Sequence, residues 1–428
     1  QTCALPISIR ILGRYAKDDA SGDIRWSWSA SGASITFAGT ACTIRMQAQG
    51  AIYSVLVDGR ETKVLDLSNA YNDTLFELAS GLGQGTHTVA VRLRTEAQHS
   101  LARFRGFRIE GIPGVAMPGT DRRIEFYGNS ITCGYGILDS VASHSFKVQT
   151  EHEGLTYAAQ AADSVGAERH TICWSGRGVV QNYGGDTKSP TVPQLYDRSL
   201  GGEANPAWDF TRWTPHVVVV DLGTNDYSTA GAQPDSAKFF RTYLAFVDSL
   251  HAKYPQAKIV LVDGPMMSDG YPAGLNTLTK LRNHLKAIVV DATKRGIQVT
   301  HLSLTPQDDT RGYGADYHPN RAQARLNGSE LAAHLRQVMP EWKAASTNPG
   351  STSPRTGMVS VAITGWELRN DATTEIQASL RDARGSLVWT AHLAPGSRMS
   401  LPGSRSIRWM QVDADQETRV FPVPPDLR

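Results

Sequence analysis

Between about Arg122 and Trp342 the chain alternates short apolar runs with longer stretches of helical periodicity. Ile124–Phe126, Glu168–Cys173, His216–Leu222, Lys258–Asp263 and Gly296–Leu302 read as strands. Leu155–Val165, Asp235–Tyr254, Leu275–Lys294 and Asn320–Val338 read as helices. In the second of these helices Phe239, Tyr243, Phe246 and Leu250 share one face, and Pro234 stands where a helix can begin. Strand-then-helix alternation dictates a mostly parallel sheet with helices on both faces, a three-layer α/β domain. The strands of such a sheet point one way, so the loops after them converge on one rim, where ligands bind.

Four of those loops carry residues with chemical uses. Arg123–Gly128 runs into Asn129-Ser130, a serine on a glycine-flanked turn. Trp174-Ser175-Gly176-Arg177-Gly178 follows the second strand, Gly223-Thr224-Asn225-Asp226 follows the third, and Asp316-Tyr317-His318-Pro319 precedes the last helix. A serine hydroxyl is a poor nucleophile until a base takes its proton, and His318 is the candidate base. Asp316 is the candidate to orient that imidazole and stabilise its charged form, with Asp263 at a strand end as a second candidate. The Gly176 N–H, the Asn225 amide and the Ser130 N–H are candidate donors to an oxyanion. Asp226 reads as a loop or capping residue. Tyr135, Trp174 and Tyr317 are candidate substrate contacts, though packing under the loops accounts for them equally well. Arg177 either touches substrate or is solvated.

Other sites are absent from the sequence. Thr132 fills the last position of a Gly-x-Ser-x-Gly elbow, no phosphate-cradling Gly-x-x-x-x-Gly-Lys motif occurs, and His152-Glu153 lacks the second histidine of a zinc helix. Three cysteines beyond Cys3, namely Cys42, Cys133 and Cys173, fit no zinc spacing. A Cys133–Cys173 bridge is compatible with their nearness to the site, and buried free thiols are the expectation. With 43 basic and 41 acidic residues, the charge gives no support for a nucleic-acid partner. The longest aliphatic run, Val217–Val220, is far short of the roughly 20 residues of a membrane span.

The flanks differ from the middle. Residues 9–112 hold short alternating runs, among them Trp26–Trp28, Ser34–Phe37, Cys42–Met46, Tyr53–Val57 and His87–Leu93, punctuated by Gly39, Asp58-Gly59 and Gly81–Gly85. That pattern predicts a β-sandwich or jelly roll, with Phe104–Glu110 as its last strand. Ile112–Gly119, with two prolines and two glycines, reads as a linker to the catalytic domain at 120–343. Ala344–Pro354 reads as a second linker, and 355–428 as a small β domain. In it, Trp366, Trp389 and Trp409 fit a sugar-binding face or, more commonly, a core. The opening Gln1–Ile7 resembles a translated sequencing adapter and is set aside, so the lack of a visible signal peptide argues nothing for the cytoplasm.

The four blocks Gly-Asn-Ser, Ser-Gly-x-Gly, Gly-Thr-Asn-Asp and Asp-x-His-Pro resemble those of the SGNH (GDSL-type) hydrolases. With the β-rich front domain, and its Gly13-Arg14, Trp28, Phe37–Thr40, Val57–Gly59 and Gly85–Val89, the chain is similar to carbohydrate esterase family 2. The resemblance covers roughly Ile9 to Trp342. It implies a jelly roll joined to an SGNH domain, and removal of O-acetyl groups from plant polysaccharides such as acetylxylan or acetylglucomannan. It also implies secretion, with no cofactor, metal, membrane or protein partner. It makes Ser130 the nucleophile, His318 the base, and Gly176 and Asn225 oxyanion donors. Two departures stand out: Asn129 replaces the usual aspartate, and Asp316 lies two residues before the histidine where most relatives have three, that place being Ala315. Some family members share this spacing and others work as a Ser–His dyad. Two rivals remain: the same fold acting on a lipid or thioester acyl chain, and an inert esterase fold that binds carbohydrate.

Overall fold

The computed structural model describes residues 8–342 except Ala70, the backbone of Thr2–Cys3, and the backbone of strands within 359–422. It divides into two compact units, Gln1–Lys343 and Ala344–Arg428.

The centre of the first unit is a parallel sheet of Arg123–Gly128, Glu168–Cys173, Val217–Asp221, Lys258–Asp263 and Val299–Ser303. Numbered along the chain, its strands lie in the order second, first, third, fourth, fifth. The pleat splits the four valines of the middle strand between two cores. Val218 and Val220 pack with Phe239, Tyr243, Leu250, Leu281 and Leu285, from helices Ser236–Lys253 and Thr277–Lys294. Val217 and Val219 pack with Tyr157, Ala161, Leu331 and Leu335, from helices Tyr157–Ser164 and Arg321–Val338. The helices begin where polar caps allow: Thr156, Asp235 and Asn320 accept N–H bonds from their first turns. Pro234 thus stands one residue before the Asp235 cap.

The front domain is an antiparallel β structure around a core of Trp26, Ile35, Phe37, Ile44, Met46, Tyr53, Val89 and Phe107. Gly39 does not end a strand as expected. One strand runs from Gly32 to Gln49, pairing with Thr86–Leu93 along its first part and with Thr74–Ala79 along its second. A Cβ on Gly39 would lie 2.0 Å from the Glu110 carbonyl oxygen, so the glycine lets two backbones cross. Thr2–Cys3, set aside in the sequence, pairs with Arg108 and Ile109 of the last strand.

Front and catalytic domains share buried groups. Arg14, fully buried, donates to Glu125 at 2.9 Å and to the Tyr127 hydroxyl at 2.6 Å, both on the first parallel strand. Trp28 and Ala97 belong to the catalytic domain's core cluster, and Trp28 Nε1 donates to the Arg198 carbonyl.

The second unit contains two antiparallel sheets. One joins Val359–Ala362, Glu367–Asn370 and Arg398–Ser400; the other is ordered Leu387–Leu393, Ile376–Asp382, Ile407–Ala414, Glu417–Pro422. The β-rich expectation for this region is met in its backbone. The 344–354 linker, Trp366, and the side chains of Trp389 and Trp409 lie outside the described residues.

Candidate active site

The first strand ends at Gly128, where a Cβ would lie 2.0 Å from Thr132 Oγ1. Only a glycine lets the chain turn so tightly into the short helix Ser130–Cys133. Asn129 caps that helix: its Oδ1 accepts from Ile131 N at 3.0 Å, and its Nδ2 donates to the Asp221 carbonyl at 3.3 Å. An aspartate has no N–H for the second bond, so asparagine ties the Ser130 turn to the neighbouring strand.

His318 Nε2 lies 2.8 Å from Ser130 Oγ. Its Nδ1 lies 3.1 Å from the backbone carbonyl of Asp316. A carbonyl oxygen only accepts, so Nδ1 carries the proton and Nε2 is left bare toward the serine hydroxyl. Burial lowers the His318 pKa to about 4 against the opposing pull of the Asp316 carbonyl. The ring is therefore neutral at pH 7 and able to take the serine proton.

The Asp316 carboxylate is not the group on His318, which corrects the expectation of a side-chain triad. Its Oδ2 accepts from the Tyr135 hydroxyl at 2.7 Å and from Phe146 N at 2.9 Å. Asp316 and Tyr317 adopt left-handed φ values of 48° and 59°, unusual for non-glycine residues and costing about 1–3 kcal/mol each. The turn aims the Asp316 carbonyl back at the imidazole. Bonds from Asp316 N to His144 O, Tyr317 N to Ala142 O and Gly314 N to His318 O hold it. Asp263, the alternative orienter, is occupied by Arg282 and His301 at 3.0 Å each.

Tyr135 stacks on Phe146 at 4.1 Å and packs, tilted, against His318 at 4.2 Å between centroids. Two rings this close occupy both of its faces, so Tyr135 cannot also stack on a sugar; it supports the His318 ring. Tyr317 is 59 % exposed on the rim. Trp174 is half-buried, with Nε1 donating to Gln98 Oε1 at 2.9 Å and Arg177 against its ring at 5.2 Å.

Gly176 has φ +77°, and among the described residues its N–H donates to nothing; nor does that of Ser130. The Asn225 amide donates to the Arg177 carbonyl at 2.8 Å, which joins the two loops and leaves its second hydrogen unused. Asp226 accepts from the N–H groups of Val179, Val180 and Gln181 at 2.9, 2.8 and 3.2 Å. It thus fixes the loop after Gly176, the structural role expected of it, although burial pushes its carboxyl up to about 7.

Cys133 and Cys173 form a disulfide, against the expectation of free thiols. The parallel register pairs Gly128 with Cys173, and the Ser130–Cys133 helix then brings Cys133 to a Cα separation of 5.6 Å, inside the usual range for a bridge. Cys42 is free and buried. Glu96, Gln98, His99 and Phe146 around the site carry no motif, and nothing in the sequence pointed to them.

Residues 11–118 match the family described as Carbohydrate esterase 2 N-terminal, and residues 126–326 the GDSL-like Lipase/Acylhydrolase family. A solved carbohydrate esterase of family two from Clostridium thermocellum, in complex with cellohexaose, superposes with a TM-score of 0.72. It is 31% identical, and the alignment covers 78% of this chain and all of that one. The chain belongs to carbohydrate esterase family 2. The chain is also similar to Cellulase/esterase CelE of Acetivibrio thermocellus, 33% identical over 330 residues, which are 76% of this chain but only 39% of CelE. An Acetylxylan esterase / glucomannan deacetylase of Cellvibrio japonicus is 28% identical over 78% of this chain and 89% of its own length. This family 2 chain therefore carries a jelly-roll front domain and a GDSL-type hydrolase domain, the architecture of carboxylic ester hydrolases.

Proposed function

We propose that this protein is a serine esterase that removes O-acetyl groups from a plant polysaccharide such as acetylxylan or acetylglucomannan. The observation that carries the reading is the 2.8 Å contact between a bare His318 Nε2 and Ser130 Oγ. Ser130 Oγ attacks the acetyl carbonyl as its proton passes to His318. The tetrahedral oxyanion is met by the N–H groups of Ser130 and Gly176 and by the Asn225 amide, each donor contributing about 3 kcal/mol of transition-state stabilisation. His318 gives its proton to the departing sugar oxygen, and water, activated by the same imidazole, releases acetate. Asp316 acts through its main chain, so the site works as a Ser–His pair with a carbonyl in the third place. Half-exposed Trp174 and exposed Tyr317 offer aromatic faces to the sugar. A polymeric substrate outside the cell makes this a secreted protein.

Acetate release from both polymers, compared between the wild type and Ser130→Ala, tests the reading. Ser130-dependent release is the expected result. Hydrolysis of a small aryl acetate alone would sink the polysaccharide assignment, and silence on all three from folded protein would leave a binding module.

A further inference from the structure

One loop of the front domain, Arg94–Ser100, reaches three parts of the site. Glu96 Oε2 accepts from Ser175 N at 2.6 Å, Gln98 Oε1 accepts from Trp174 Nε1, and His99 stacks on Phe146 at 5.4 Å. Phe146 stacks in turn on Tyr135, and Tyr135 packs against His318. We infer that the front domain is part of the catalytic apparatus, with Glu96 the positioning residue that sets the orientation of the Ser175–Gly176 peptide. The inference rests on the esterase reading, in which the Gly176 N–H meets the oxyanion.

Gly176 needs such a device. With φ at +77° and no Cβ, its backbone has more conformational freedom than that of other residues, and its N–H is useful only if aimed before the reaction. Backbone groups on either side are tied: Trp174 N to the Gly128 carbonyl, Arg177 N to the Trp174 carbonyl, and Tyr183 N to the Gly176 carbonyl. Glu96 supplies the tie one peptide upstream, and a bond to a carboxylate is among the stronger ones available to a backbone N–H.

Glu96 is itself held rigidly. Its carbonyl accepts from His99 N and Ser100 N, and its N–H donates to Glu151 Oε2 at 3.2 Å. Both carboxyl groups are fully buried, each with one oxygen lacking a partner, and oxygens of the two lie within 4.8 Å of one another. Burial raises the pKa of both carboxyl groups, and for Glu151 the nearby Glu96 adds to the rise. Such a pair, behind the Cys133–Cys173 bridge, holds the acceptor for Ser175 in place.

The test is kcat and KM for an aryl acetate, with thermal melting, on the full chain as wild type, Ser130→Ala, Glu96→Gln and Glu96→Asp. Glutamine keeps an oxygen for Ser175 N–H and gives an N–H to Glu151, so kcat should stay within about threefold of wild type. Aspartate keeps the carboxyl but is one methylene too short to reach, and kcat should fall about 10–100-fold with KM within about twofold. Equal kcat for folded Gln and Asp variants, or a loss confined to KM, overturns the inference. If Glu96→Asp does not fold, a drop beyond tenfold in Glu96→Gln at unchanged melting temperature overturns it as well. Hydrolysis by the wild type that Ser130→Ala retains would overturn the esterase reading itself, and this inference with it.

Discussion

At the scale of the residue, His318 and Asp316 decide how the site can work. Activity requires a neutral imidazole, and burial has moved the His318 pKa down to about 4. The kcat/KM profile should therefore stay level from pH 7 to about 5 and fall below, half-maximal near pH 4 rather than near the ordinary histidine value of about 6.5. A stopped assay with pH-stable substrate reads this directly; a midpoint above 6 would show that burial does not depress the imidazole. Asp316→Asn should lower kcat less than about tenfold. Its amide oxygen can accept from Tyr135 and Phe146, asparagine tolerates a left-handed backbone, and the carbonyl on Nδ1 is unchanged. A loss of about 10⁴-fold, as when a triad aspartate is replaced, would show that the carboxylate acts on the histidine. The sequence placed both residues in one block. It did not tell which oxygen of Asp316 faces the ring, because two left-handed residues leave no mark in residue type when neither is a glycine.

At the scale of the element, the short helix after the first strand and the loop after the second are joined by the Cys133–Cys173 bridge. It closes a sequence separation of 40 residues, for which chain entropy gives about 4 kcal/mol of stabilisation. Replacing both cysteines by alanine should lower the melting temperature accordingly, and the bridge joins the Ser130 helix to the strand that delivers Gly176, so kcat should fall with it. Unchanged stability in denaturant would argue against the bridge. The spacing of the two cysteines in sequence gave no basis for pairing them; the parallel register that sets Cys173 beside Gly128 did. The parallel strands and flanking helices, by contrast, were legible. Their apolar periods are long, and three of the four flanking helices start at a polar cap, Thr156, Asp235 and Asn320.

At the scale of the whole molecule, the front and catalytic domains are bound by Arg14, which lies with Glu125 in a fully buried pair. Burial alone would raise the Glu125 carboxyl, but Arg14 and His170 hold it down to about 2. A folded pKa below the unfolded one stabilises the protein above about pH 4.5 and is lost as pH falls through about 2. Arg14→Met leaves Glu125 buried and uncompensated, and should cost about 3–5 kcal/mol in denaturant unfolding at pH 7. A change below 1 kcal/mol would mean that the domains do not depend on this pair.

The sequence by itself determined the parallel sheet, the β-rich front domain and the four loops that carry Ser130, Gly176, Asn225 and His318. The elements follow from periodicity, and the loops from four blocks that are weak singly but together, in order, resemble those of the SGNH hydrolases. The tertiary structure alone decided that a carbonyl orients His318, that Tyr135 is sandwiched against it, and that Glu96 reaches the Gly176 loop from another domain. Each of these depends on backbone dihedrals or on contacts between residues far apart in the chain. A glutamate in the loop of a β-sandwich looks like any solvated charge until the fold buries it against its neighbour domain.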